Sequence, residues 1–328
     1  MRSTPYFLVV LSLLFSVVPL CAQSDEQATR DVPEEIVSLL VTASSAQQSG
    51  ERQEAISRML PALAGHYQDE LNGLVDGDGQ QPFVVTFADG QPESVARIFS
   101  IALADRLIHL VQLQSEVQVY SVDISRERLA SAIRYYLQEL QISSSFNGME
   151  RGSAELFRWT VQPYLNDLRE AEVEKLIFTP SATLRRLPLT TMLDGRRYLI
   201  DEFEISVSLG VQQRAAQGAF SSTLRGESNY LVNTLSEDIV LSQSQRVVNQ
   251  SFPILQLQSS HLFAGASANL VSLWPANAAF GEQLVESFSA EVEQGASYSE
   301  ALRTAQREVK SSGRFGHAFF WGSYLLVE

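Results

Sequence analysis

Three branched and apolar runs, residues 97–103, 107–113 and 117–122, succeed one another with only short polar breaks at Asp105 and at Gln114-Ser115. Breaks that short join neighbouring strands, so the runs predict an antiparallel meander. The segments after the meander change the fold class. Ser125 is placed to cap a helix whose inner face is Leu129, Ile133, Tyr136, Leu137 and Leu140. A loop is expected over residues 143–152, with Ser153 capping a second helix that turns Leu156, Val161, Tyr164, Leu165 and Leu168 inward. Residues 173–178 form a short buried strand broken by Thr179-Pro180-Ser181, Leu187-Pro188 makes a second break, and residues 198–209 read as another strand. Residues 230–232 and 239–241 are short apolar runs, and a short helix leads to Gly265. A buried strand over residues 269–274 then stops at Pro275. Phe280, Leu284, Val285 and Phe288 share one helix face, Gly295 ends that helix, and Tyr298, Leu302, Ala305 and Val309 line the next. Aromatic residues 315–327 close the domain with a final strand. Helices alternating with strands after a meander imply an α/β sheet.

Upstream, Pro33 opens a helical pattern carrying Ile36, Leu39 and Leu40, and a second carries Ile56, Met59, Leu60 and Leu63, with a turn over residues 45–50. The pair shows no self-similar period, so a helical-repeat array is not supported. Asp76-Gly77-Asp78-Gly79 is a turn; the acidic positions and closing glutamate of a calcium loop are absent. Residues 83–87 are a candidate strand. Residues 1–22 read as a secretory signal: Arg2 gives the positive start, residues 6–20 the apolar stretch, and Ala22 a small residue before a cut at Gln23. The apolar stretch falls short of the roughly 20 residues of a membrane span. The chain therefore divides into a signal peptide (1–22), a polar leader with a helical segment (23–93) and a sheet domain (94–328). An exported protein, periplasmic or extracellular and without a membrane span once matured, is expected.

The 328 residues are 45% apolar, enough for a large core, and carry 24 Lys+Arg against 38 Asp+Glu, a formal charge of −14. That balance argues against nucleic-acid binding and against docking on anionic membranes. The single cysteine, Cys21, lies inside the signal segment. A chain cut after Ala22 has no thiol, hence no disulfide, no cysteine nucleophile and no thiolate metal site. No His-Glu-x-x-His cluster and no Gly-x4-Gly-Lys phosphate loop occurs, so no metal or cofactor is expected.

Several blocks, in order, resemble the CHAT domain, a caspase-like domain found beside tetratricopeptide repeats in bacteria. Residues 97–140 resemble its opening meander and helix. Leu176-Ile177-Phe178-Thr179-Pro180-Ser181 with Leu184, Leu187-Pro188-Leu189, Leu193, Asp194-Gly195 and Tyr198-Leu199-Ile200 resemble its next strand, turns and Tyr-Leu-Ile segment. Ala264-Gly265-Ala266 and Val271-Ser272-Leu273-Trp274-Pro275 resemble its Gly-Ala turn and Ser-Leu-Trp-Pro strand. Gly295-Ala296-Ser297 with Glu300-Ala301-Leu302-Arg303 and Ala305-Gln306, then His317-Ala318-Phe319-Phe320-Trp321, resemble its last helix and closing aromatic block. The resemblance implies a caspase-like three-layer sheet with helices on both faces. Here it is expected to lack part of the central sheet and to come after a short helical segment.

The resemblance also implies a histidine base after one strand and a cysteine nucleophile after the next, in Ala-Thr-His-Gly and Leu-Ser-Ala-Cys-Glu-Thr contexts. Neither context stands here. In one alignment Asp238 to Gln245 takes the place of the cysteine segment and Ser244 replaces the thiol. In the other, Val232 to Glu237 and Phe252-Pro253 match an earlier segment, and the whole histidine-to-cysteine stretch is deleted. Both alignments remove the dyad. A serine at 244 needs a base within hydrogen-bond reach, and the histidines are His66, His109, His261 and His317, each read as structural. No catalytic residue is assigned. The family's substrate groove borders the Ser-Leu-Trp-Pro strand, so Ser272 and Trp274 are expected to mark its remnant. The expected role is a non-catalytic pseudopeptidase that binds a peptide or protein partner; the alternative is a hydrolase working through Ser244.

Overall fold

The computed structural model describes residues 32–72, 84–85, 90, 92–142, 146–181, 183–185, 187–208, 211–212, 230–236, 239–244, 268–275, 278–313 and 315–328. The described residues open with α1 (Glu34–Ser45), whose last turn is closed by the Ala46 N–H donating to the Thr42 carbonyl, and α2 (Ser49–Asn72). A two-residue strand β1 (Val84–Val85) comes next. The meander is β2 (Val95–Ala102), β3 (Leu107–Leu113) and β4 (Glu116–Val122), antiparallel throughout, as the spacing of the apolar runs requires. After it stand α3 (Arg126–Gln141), α4 (Phe146–Thr160), α5 (Leu165–Glu170), β5 (Lys175–Pro180), α6 (Leu199–Glu202) and β6 (Glu204–Val207). After β7 (Val211–Gln212), which pairs with β1, the described chain resumes at β8 (Tyr230–Ser236) and β9 (Ile239–Ser244). It ends with β10 (Ala268–Ser272), α7 (Ala278–Glu293), α8 (Tyr298–Ser311), α9 (Ala318–Trp321) and β11 (Tyr324–Val327).

One nine-stranded mixed sheet runs β4-β3-β2-β5-β6-β11-β10-β9-β8. The ladder is continuous from β4 to β8, with no gap where part of the central sheet is expected to be missing. β2, β5, β6 and β11 are parallel, β10 is antiparallel to β11, and β9 is parallel to β10. The last strand of the sequence therefore joins the two halves of the sheet.

Alternation along β2 and β3 divides the core in two. Ala96, Ile98 and Ala102 face α3 and α4 and meet Leu129, Ile133, Tyr136, Met149 and Leu156. Phe99 and Ile101, with Ile108 and Leu110 of β3, face the other way and meet Ile36, Leu40, Met59 and Leu63 of α1 and α2. The helical segment before residue 94 is thus a layer of the sheet domain. Helices on both faces of a mixed sheet make the caspase-like three-layer architecture that the sequence implies.

Three local expectations need correction. Residues 146–152 are helical: α4 begins at Phe146, and Ser153 lies inside it instead of capping it. The Ser153 hydroxyl donates to the Thr191 carbonyl at 2.6 Å, so a cap-type residue serves a tertiary contact. Gly152 lets α3 and α4 approach closely, since a Cβ there would stand 3.2 Å from the Tyr136 ring. Residues 198–203 are not strand. α6 takes the first half of that run because Asp201 accepts the Tyr198 N–H at 3.1 Å, and the Arg303 guanidinium donates to the Ile200 and Asp201 carbonyls at 3.1 Å. Finally, β5 continues through Thr179-Pro180, because Pro180 pairs with Ser100 as the last residue of the strand. The helix expected before Gly265 lies outside the described residues.

Candidate functional site

Parallel pairing sets Val271 of β10 beside Ser242 of β9, so both strands release their carboxyl ends at one sheet edge. Two residues further on, Ser244, the last residue of β9, comes level with Leu273. β11 enters the sheet from this same edge: Tyr324 pairs with Ser272, and the Leu273 N–H donates to the Ser323 carbonyl at 2.7 Å. The edge thus gathers Ser244, Ser272 and Trp274, as well as the turn before β11. Crevices outside strand carboxyl ends are where open α/β sheets bind ligands.

Ser272 and Trp274 are both buried. The Trp274 indole N–H donates to the Phe319 carbonyl at 2.9 Å, and the two rings stack with centroids 5.8 Å apart. Phe280 and Phe320 continue the aromatic cluster. His317 begins α9 in the same cluster. Its Nδ1 accepts the Phe319 N–H at 3.1 Å, and burial holds its pKa below the ordinary histidine value. The ring is therefore neutral with its proton on Nε2, and its one lone pair is spent on the helix cap. In that state it offers no base to a serine.

His109 is bound more tightly still. Its Nε2 lies 2.8 Å from the Trp159 carbonyl, which can only accept, so Nε2 carries the proton. Nδ1 then accepts from the Ser100 hydroxyl at 2.8 Å. Burial pushes the pKa down to about 4. This serine–histidine pair has the bond of a nucleophile and its base, but Ser100 and His109 are both sealed inside the core. His109 also lies six strand positions from β9, roughly 29 Å at the usual spacing. It cannot serve Ser244. His66 lies on α2, the helix laid over β2 and β3; His261 lies outside the described residues. Sequence reasoning misses the Ser100–His109 pair, although its signal is there: each is a lone polar residue at an inward position of an apolar strand.

No group of three or more His, Cys, Asp or Glu side chains among the described residues is arranged to hold a metal ion. Among the same residues no helix is long and apolar enough to cross a membrane.

Comparison with known proteins fits this geometry. The CHAT domain profile matches residues 150–251 and 239–328, more than half of the chain. The chain belongs to the CHAT domain family. It is also similar to human Tetratricopeptide repeat protein 28, at 27% identity over 183 residues, 51% of this chain and 7% of that protein. The mouse protein of the same name is 32% identical over 91 residues, 27% of this chain and 4% of its own length. The chain thus spans only a small part of these curated relatives. The segments that match the CHAT domain contain no cysteine, because Cys21 precedes them.

Proposed function

We propose that this CHAT domain is a pseudopeptidase: it holds a peptide or protein partner and does not cleave it. The absence of any cysteine from the CHAT-matched segments carries this reading, since a thiolate nucleophile has no residue to form on. The engaged lone pairs of His109 and His317 support it. In this reading the partner lies along the edge marked by Ser272 and Trp274. It acts outside the cytoplasm once residues 1–22 are removed. The test is turnover of a peptide library by purified protein, together with the intact mass of the exported chain. No turnover and a mature mass starting at Gln23 are expected; sustained cleavage would overturn the non-catalytic reading.

The second reading, a serine hydrolase, is favoured by the position of Ser244 at a strand carboxyl end. It requires covalent labelling by a fluorophosphonate that disappears in Ser244→Ala. Labelling that is absent, or equal in the two proteins, ends it.

A further inference from the structure

His317 leaves one polar atom unaccounted for. The ring is only 2% exposed, Nδ1 is committed to the Phe319 N–H, and Nε2 has no hydrogen-bond partner. Nε2 sits on the ring edge away from that cap. Leaving such a donor unpaired costs about 1–3 kcal/mol, and native folds rarely retain one without a use. The ring stands 4.8 Å from that of Phe146, edge to face.

Phe146 belongs to a second pattern. The large apolar side chains that stand exposed among the described residues are Tyr135 (44%), Ile142 (50%) and Phe146 (47%). All three fall within one short stretch of chain, where α3 ends and α4 begins. Tyr135 stands exposed on α3, and Ile142 is the residue that caps the helix's carboxyl end. An exposed apolar ring in contact with the ring that carries an orphaned donor, with two more exposed apolar residues close by in the chain, marks an interaction surface.

We propose that this corner docks an extended peptide segment of a partner protein, seating a large apolar side chain against Ile142 and Phe146 while a main-chain carbonyl accepts the His317 Nε2–H. The donor is neutral and single, which suits a peptide carbonyl. A carboxylate is disfavoured by Glu150, exposed one turn along α4 from Phe146, and by the chain's net charge of −14. The same charge opposes a second copy of this chain and an anionic membrane as occupants. His317 is only 2% exposed, so docking requires the half-exposed Phe146 ring, 4.8 Å from it, to turn aside as the carbonyl enters. The inference rests on the partner-binding reading and gives that partner a surface and a chemistry.

The test uses the full chain and a displayed library of unstructured twelve-residue peptides. Two variants are compared with wild type. Phe146→Ser removes the apolar seat. His317→Ser keeps an oxygen to cap the Phe319 N–H, but its short side chain carries no donor out to the position of Nε2. Selected peptides are expected to share a large apolar residue and to bind each variant at least tenfold more weakly, with unchanged unfolding midpoints. Peptides that bind both variants as tightly as wild type would overturn the corner and leave partner binding standing. A library that yields no binder would remove both. Sedimentation showing a wild-type dimer that Phe146→Ser dissolves would assign the corner to a second copy and overturn the peptide.

Discussion

Ser100 and His109 meet across β2 and β3 in a bond that needs a neutral ring, and that requirement makes the fold sensitive to acid. In the unfolded chain His109 titrates near the ordinary value of 6.5; in the folded chain its pKa is about 4. Between those values only the unfolded chain takes up the proton. Stability is therefore full above about pH 6.5 and falls as the pH drops toward 4, by up to ~3 kcal/mol from this group. Urea unfolding at about pH 7 and about pH 4.5 checks this. His109→Phe is expected to be less stable at neutral pH, because Ser100 and the Trp159 carbonyl lose their partner, but to lose less on acidification. An equal loss in both proteins would show that the ring does not titrate this way. At this scale the sequence is partly readable. His317, read as structural, packs among aromatic rings. The pairing of Ser100 with His109 does not read out, because the residue facing a polar strand position depends on register.

Elements that arise from periodicity stand where expected: the meander, the Ser125-capped helix, α7 with its Gly295 stop, and α8 with Leu302, Ala305 and Val309 buried. The misplaced boundaries share one cause. At α4 and α6, contacts from distant residues outweigh local preferences: Thr191 uses Ser153, and Arg303 holds the carbonyls of α6. Glycines at helix contacts give this a test. A Cβ on Gly322, just past α9, would come within 2.8 Å of the Ala318 carbonyl and would also strike the Thr191 side chain. Gly322→Ala is expected to cost about 1–3 kcal/mol by overpacking. Gly152→Val is expected to be destabilising through overpacking against Tyr136, offset in part by valine's higher helix propensity than glycine's. Thermal denaturation measures both, and a neutral Gly322→Ala would mean that the turn before β11 yields more easily than its packing suggests.

For the whole molecule, the family and the three-layer architecture are legible because they rest on many blocks in order. The site is not legible in the same way: the segments that match the CHAT domain hold no cysteine, and what the described residues offer there is strand ends and aromatic packing. The boundary at residue 94 separates two sequence patterns but not two physical units. Removing residues 1–93 would strip α1 and α2 from Phe99, Ile101, Ile108 and Leu110. Each such side chain is worth about 1.5–3 kcal/mol when buried, so the fragment 94–328 is expected to aggregate or to melt at a much lower temperature than the full chain. A soluble fragment of equal melting temperature would contradict this.

The position of β11 sets an order of events. Residues 324–327 come last among the strands, yet they lie between β6 and β10, so until they are made the sheet exists only as two unconnected parts. Closure must wait for contacts between segments far apart in sequence, which slows folding. A chain emerging from the ribosome therefore cannot close this sheet until residues 324–327 are free to pair on both sides.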